Sequence, residues 1–226
     1  MSSKTFTLLH QADDFIVIDK APNVHFHSQD GSAGVVAQVE QQLQKKLYPV
    51  HRLDTPTSGL LILATSSAAA ARLAEKFKRH QIQKYYLALA KGKPKKKQGS
   101  IIGDMAKSRR GMHKLLRSTE NPAMTQFFSQ SIAEGVRLYL LKPLTGRTHQ
   151  LRVALASIGS PILGDPLYGK HSADRCYLHA YQLEFEDSGE QYKFTSDPKV
   201  GELFNSQAIC DQLNLWQQPL KWPKIK

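Results

Sequence analysis

Cysteine is scarce in these 226 residues, with only Cys176 and Cys210 present. Two thiols so far apart build neither a disulfide framework nor a thiolate metal centre, and they point to a reducing compartment. Acidic side chains are also few, 19 against 31 lysines and arginines, for a formal net charge of +12. No apolar run approaches the roughly 18 residues of a membrane span, and the opening MSSKTFTLLHQADDF lacks a cationic start followed by an apolar stretch. A cytoplasmic location with no membrane attachment is therefore expected. No internal repeat, Gly-rich phosphate loop or helix-turn-helix pattern is found, so a solenoid, a kinase and a groove-reading DNA binder each lack their basis.

What is there suffices to close a core, since 41% of the residues are hydrophobic. DDFIVIDKAP reads as a strand, and Gly34 to Leu47 as a helix with Val36, Val39, Leu43 and Leu47 on one face. Ser66 or Ser67 can cap a second helix in which Ala70, Leu73, Ala74 and Phe77 recur at helical spacing. KYYLALAKG is a strand, and AMTQFFSQS with GVRLYLLKPLTG is an antiparallel pair about a Glu134-Gly135 turn. Thr148 to Gly159 is a helix with Thr148 as its cap; CYLHAYQLEFED and EQYKFTSD form another hairpin, and a helix closes the chain. The expectation is an α+β fold with a mixed, mostly antiparallel sheet, in a single domain over residues 1–226. A basic, insertion-like segment at about 91–121 shows no clear elements.

Charge is concentrated rather than spread. Lys76 to Arg117 holds fourteen basic residues and one acidic residue, Asp104, a local balance of +13 that leaves the rest of the chain near neutral. Such a patch fits a polyanion, because each neutralised phosphate releases counterions and adds salt-sensitive affinity. A solvated lysine loop would give the same local pattern at KGKPKKKQGS. Lys93, Lys95, Lys96, Lys97, Arg109 and Arg110 are the RNA-contact candidates of this segment.

The stretch HRLDTPTSGLLILA, His51 to Ala64, sets an aspartate beside an arginine at the mouth of an aliphatic strand. Metal binding by His51 and Asp54 is disfavoured, because Pro56 and Gly59 deny the helical turn on which they would converge. Two readings of Asp54 stay open on local pattern. It caps the Thr55-Pro56 turn, with Arg52 a surface charge, or it is a catalytic carboxylate held by a rigid element.

These residues resemble the RluA-type pseudouridine synthases. HRLDTPTSGLLILA is similar to the family's signature around its essential aspartate. KPLTGRTHQLRVALASIGSPILGDPLYG, Lys142 to Gly169, is similar to its second long signature. KYYLALAKG matches its Lys-x-Tyr segment, and Leu178-His179-Ala180 its late strand. The resemblance implies a long mixed sheet with a central RNA cleft, and isomerisation of uridine in ribosomal or transfer RNA without cofactor or metal. It assigns Asp54 as the catalytic carboxylate and Tyr86, 32 positions on, as the stacking tyrosine. It makes Arg152 the cation that pairs with the aspartate, and Arg52 the arginine that enters the RNA stack.

Each assignment has a chemical reason. The glycosidic bond lies inside a stacked nucleotide, so the base is flipped out at a cost of about a few kcal/mol. A guanidinium such as Arg52 can fill the gap by its planar face. An arginine keeps a carboxylate ionised in a dry site. Tyr86 suits the wall that holds the freed uracil, and its hydroxyl suits removal of the C5 proton. Attack at C1′, addition at C6 and proton removal at C2′ all remain open for Asp54. Gln150 and Arg147 are further RNA-side candidates, while His179 and Tyr168 read as structural.

Departures from the family narrow the expectation. Many relatives begin with an S4-type RNA-binding domain, whereas here Asp13 and Asp14 already open the catalytic part, so the basic segment is expected to replace it. The usual Lys-Pro-x-Gly near the start is KAPN, which puts a direct role for Lys20 in doubt. A monomer with RNA as its partner and no obligate protein partner is expected. The rival is an RNA-binding or chaperone module on the same fold that has lost turnover.

Overall fold

Seven consecutive residues, Ser58–Ala64, are all buried, as an aliphatic run with β-branched and leucine side chains on both faces requires. The computed structural model describes residues 4–29, 31–216 and 220–225. Its elements in chain order begin with β1 (Phe6–Gln11), β2 (Phe15–Lys20), α1 (Val35–Leu43), β3 (Tyr48–Pro49), β4 (Ser58–Ala64) and α2 (Ser67–Lys78). There follow β5 (Gln83–Lys91), β6 (Gln98–Gly103), β7 (Met105–Lys107), β8 (His113–Leu115), β9 (Ala123–Ala133) and β10 (Val136–Pro143). The last are α3 (Gln150–Ser157), β11 (Leu178–Asp187), β12 (Glu190–Thr195) and α4 (Gln207–Trp216). The fold is α+β, as expected. No helix among the described residues is long and apolar enough to cross a membrane.

The chain divides into two compact units: one runs to Gln83 and includes His179–Pro198, the other comprises Lys84–Leu178 and the chain from Lys199 on. In the first, the strand order is β1-β2-β4-β11-β12, with β3 also pairing β4. All pairs are antiparallel except β4 with β11, where His179 faces Ser58 and Ala180 faces Gly59. Gly59 makes that parallel pair feasible, since at φ 109 a Cβ there would lie 2.3 Å from the Ala180 carbonyl oxygen. Helix α2 is capped by Ser66, whose Oγ accepts from the Ala69 N–H at 3.1 Å, and it buries Ala69 and Leu73. Ala74, expected inward, is exposed.

Helix α1 stops earlier than its periodicity predicts. It ends at Leu43, Gln44 takes a left-handed conformation, and Leu47 is buried from the following loop, its N–H bonded to Glu40 Oε1. The chain must leave the helix there because Tyr48 and Pro49 pair with β4, and proline cannot continue a helix.

In the second unit the strands run β5-β10-β9-β6, each pair antiparallel, and β7 and β8 make a separate hairpin. The basic segment, which showed no pattern, thus contains three strands, two of only three residues, too short for a legible alternation. Leu87–Ala90 and Leu138–Leu141 supply much of the core. Trp222 packs its ring against Tyr85 and Phe128. Helix α3 starts at Gln150 rather than Thr148. The Gln150 side chain folds back on the loop ahead of the helix: its Oε1 accepts from the Arg147 N–H at 2.9 Å and the Thr145 hydroxyl at 2.8 Å.

Candidate active site

In the first unit, the turn carrying Asp54 is closed by the Thr57 N–H on the Asp54 carbonyl oxygen at 3.0 Å. Asp54 itself is half-buried and Arg52 is exposed. The guanidinium of Arg52 lies 6.0 Å from the Phe26 ring centroid, within cation-π range. Under the turn, Lys20 is fully buried, and its Nζ donates to the carbonyl oxygens of Ala21, Val24 and Thr55 at 2.9, 3.0 and 3.1 Å. The last carbonyl belongs to the residue after Asp54, so Lys20 acts on the backbone that presents the carboxylate. The KAPN sequence puts a direct role for Lys20 in doubt, and these bonds are all to backbone carbonyls.

His51 holds the other end of the turn. Its Nε2 accepts from the Ile62 N–H at 2.9 Å and its ring stacks on Phe77 with centroids 4.4 Å apart, which gives it a structural part. His179 is a buried core histidine, as read from its sequence setting. Nε2 donates to the Ser196 carbonyl oxygen and Nδ1 accepts from the Ser58 hydroxyl, both at 2.7 Å.

In the second unit, Tyr86 is half-buried on β5, directly opposite Leu141 of β10. Side chains alternate along a strand, so Tyr86 shares a face with Lys84 while Tyr85 points to the face that Trp222 covers. Lys84 carries no assignment from the sequence beyond its place in Lys-x-Tyr. Burial pushes its ammonium pKa down, and its Nζ would lie 3.6 Å from a Cβ at Gly146.

Arg152, the third residue of α3, is 2% exposed. Its Nε and Nη2 donate to Asp165 Oδ2 and Oδ1, each at 2.7 Å, in a two-pronged ion pair. Asp165 also accepts the N–H groups of Leu167 and Tyr168. Burial pushes its carboxyl up, but the guanidinium and the two amides outweigh that and hold the pKa below the ordinary value. Asp165 was not picked out from the sequence. Gly164 before it, at φ +67, lies so close to the Arg175 carbonyl that a Cβ would fall 1.9 Å from the oxygen, and this close approach sets Asp165 in place.

The family model for RNA pseudouridylate synthase matches residues 14–157. The chain belongs to that family. This synthase is 47% identical over 212 residues to a Haemophilus influenzae protein named as an uncharacterized RNA pseudouridine synthase, covering 92% of this chain and 95% of the other. It is 32% identical over 192 residues to the dual-specificity RNA pseudouridine synthase RluA of Escherichia coli K12, covering 78% and 84%. Its fold is similar to that of human RNA pseudouridylate synthase domain containing 1, with a TM-score of 0.77 at 24% identity over 98% and 97% of the two chains.

The synthase's basic residues divide between the units. Lys76, Lys78 and Arg79 lie in or next to α2, where Lys76 reaches Asp187 and the other two pair with Glu75. A charge count begun at Lys76 leaves out Glu75, so the excess belongs to Lys84–Arg117, with eleven basic residues and Asp104. Lys93, Lys95, Lys96 and Lys97 are exposed between β5 and β6, and Arg109 and Arg110 are exposed at the turn from β7 to β8. Exposed Arg147 bonds to Asn121, whose own N–H bonds to Asp104. Gln150, expected toward RNA, is 5% exposed, and its amide nitrogen donates to Met124 O and Thr125 Oγ1. Among the described residues, no three His, Cys, Asp or Glu side chains gather as a metal-binding group.

Proposed function

We propose that the synthase isomerises a uridine of a structured ribosomal or transfer RNA, with Asp54 as the catalytic carboxylate once the target base has been flipped out. The observation that carries this reading is the mounting of Asp54. A half-buried carboxylate sits on a closed turn, with the following carbonyl held by the buried Lys20 ammonium and the fully buried β4 beginning four residues later. Such a mount fixes direction without a flexible loop, as a reaction at one atom of an extruded nucleotide demands.

The remaining parts follow from side-chain chemistry. Attack at C1′, addition at C6 and proton removal at C2′ each begin with an ionised carboxylate at Asp54. Arg152 supplies the permanent positive charge that keeps a carboxylate ionised in a dry site, and Asp165 fixes its orientation. Tyr86 forms the aromatic wall against which the freed uracil turns to present C5, and Arg52 fills the vacated stack. The lysines between β5 and β6, with Arg109, Arg110 and Arg147, track the phosphates. Gln150 serves as a strut for this region. The protein acts as a cytoplasmic monomer with RNA as its partner.

The test uses total RNA from cells lacking the protein. After incubation with the native chain, carbodiimide treatment and reverse transcription should reveal a few new pseudouridine stops in stem-loops, and none with Asp54→Asn. Tight RNA binding with no new stops would favour the binding module without turnover.

A further inference from the structure

We propose that Tyr168 is a positioning residue that joins the basic β7–β8 hairpin to Arg152, so that RNA gripped by the hairpin tip orients the guanidinium for reaction. This rests on the reading of Arg152 as part of the reacting machinery. Four residues meet at Tyr168. Its hydroxyl accepts the N–H of His113, the first residue of β8, at 2.7 Å. The same hydroxyl lies 3.0 Å from Nδ1 of His149, the residue that leads into α3. Its ring lies 5.2 Å from the Arg152 guanidinium carbon, and its N–H bonds to Asp165, the carboxylate that grips the guanidinium.

The ring alone would explain packing on Arg152, and phenylalanine would serve for that. The hydroxyl does something different: it ties the hairpin backbone to the residue that starts the Arg152 helix. His149 holds a left-handed backbone, φ 58, uncommon for a residue with a Cβ, and no side chain caps the helix there. Such a conformation persists where neighbours over-determine it. Those neighbours include the Tyr168 hydroxyl and the His113 ring, 5.5 Å away edge-on. At the turn of the hairpin, beside His113, stand exposed Lys107, Arg109, Arg110 and Lys114, the charge that would meet phosphate. The route from tip to guanidinium is thus short and made of direct contacts.

The experiment follows tritium release under single turnover, with the full chain and total cellular RNA labelled at C5 of uridine, drawn from cells lacking the protein. Tyr168→Phe keeps the ring and removes the hydroxyl. It should lower the rate at saturating protein about tenfold while changing the RNA Kd less than about twofold. Arg109→Ala with Arg110→Ala should weaken binding and lower the saturated rate in the native background. In the Tyr168→Phe background the same pair should weaken binding again without lowering the rate further. Additive losses in saturated rate, or a tip variant that changes Kd alone, would overturn the proposal, as would Tyr168→Phe with a lower Tm and the native rate. Should Tyr168→Phe fold poorly, His149→Asn removes the ring that meets the hydroxyl, tolerates the left-handed backbone, and should give the same pattern. Arg152→Lys, measured alongside, separates the two layers. A native rate in that variant would remove the Arg152 reading and the proposal with it; a lost rate with an additive cycle would remove the proposal alone.

Discussion

Among the described residues, two arginine-aspartate pairs of the same two-pronged design stand one in each unit, in opposite settings. Arg72 of α2 reaches Asp187 at the end of β11 through Nε and Nη2 at 3.1 and 3.0 Å, and Asp14 at 2.8 Å. Its side chain is 37% exposed and Lys76 stands 3.6 Å from the same Asp187. The side chains of Arg152 and Asp165 are 3% and 0% exposed. The first pair is a staple between a helix and a strand end, with a spare cation nearby. The second has been carried into the interior, where two hydrophobic side chains would hold a fold at least as well. Stability alone does not account for the buried pair, whereas the function proposed above calls for a guanidinium held in one place.

The comparison breaks most visibly at the buried pair. Arg152→Ala leaves Asp165 buried without its counter-ion and should cost about 3–5 kcal/mol in urea unfolding, with loss of turnover. Replacing both partners, Arg152→Met with Asp165→Leu, should recover much of that stability and none of the activity. A cost under about 1 kcal/mol for Arg152→Ala would mean the pair is not shut away from water.

Acid should sharpen the contrast. Both aspartates have folded pKa values held below the ordinary value, Asp187 by its bond to Arg72 and Asp165 by Arg152 and the two amides against the upward push of burial. A depressed carboxyl contributes stability above its unfolded pKa of about 3.9 and loses it as pH falls through the lower folded value. Unfolding free energy should therefore decline below about pH 4, and the decline should be shallower in Asp165→Asn and in Asp187→Asn. An unchanged acid limb in both variants would contradict the assignment.

Arg72→Ala should cost less, about 1–2 kcal/mol, because Lys76 remains beside Asp187, and tritium release at 25 °C should stay at the native rate. A complete loss of release would erase the distinction between the pairs. The smallest effect belongs to the exposed lysines. Neutralising Lys93, Lys95, Lys96 and Lys97 should reduce the slope of log binding constant against log salt by about three, with the fold untouched. An unchanged slope would remove them from the RNA surface.

Much of this was legible in the sequence where a signal is local. The aliphatic run of β4, the Ser66 cap and the hairpin about Gly135 depend on neighbours in the chain, and all are where the pattern puts them. The end of α1 was not legible, since pairing with Ala64 of β4, 16 positions away, decides where Tyr48 must lie. The start of α3 was set by a glutamine folding back on its own loop. Strands β7 and β8 are too short to show a period. Of the candidate site, local pattern left Asp54 open between turn and catalyst, and the resemblance to the family carried Tyr86 and Arg152. Asp165 and Tyr168 became visible only in space, because a close approach at Gly164 and a hairpin 55 residues away bring their partners to them.

The most direct test of the central claim compares native chain and Asp54→Asn, both shown folded by their thermal transitions, on total RNA labelled with tritium at C5 of uridine. Carbon 5 gives up its hydrogen only when the new carbon-carbon bond forms there. Release by the native chain and none by Asp54→Asn is the predicted result. Release by Asp54→Asn at the native rate would contradict the assignment of Asp54 as the catalytic carboxylate.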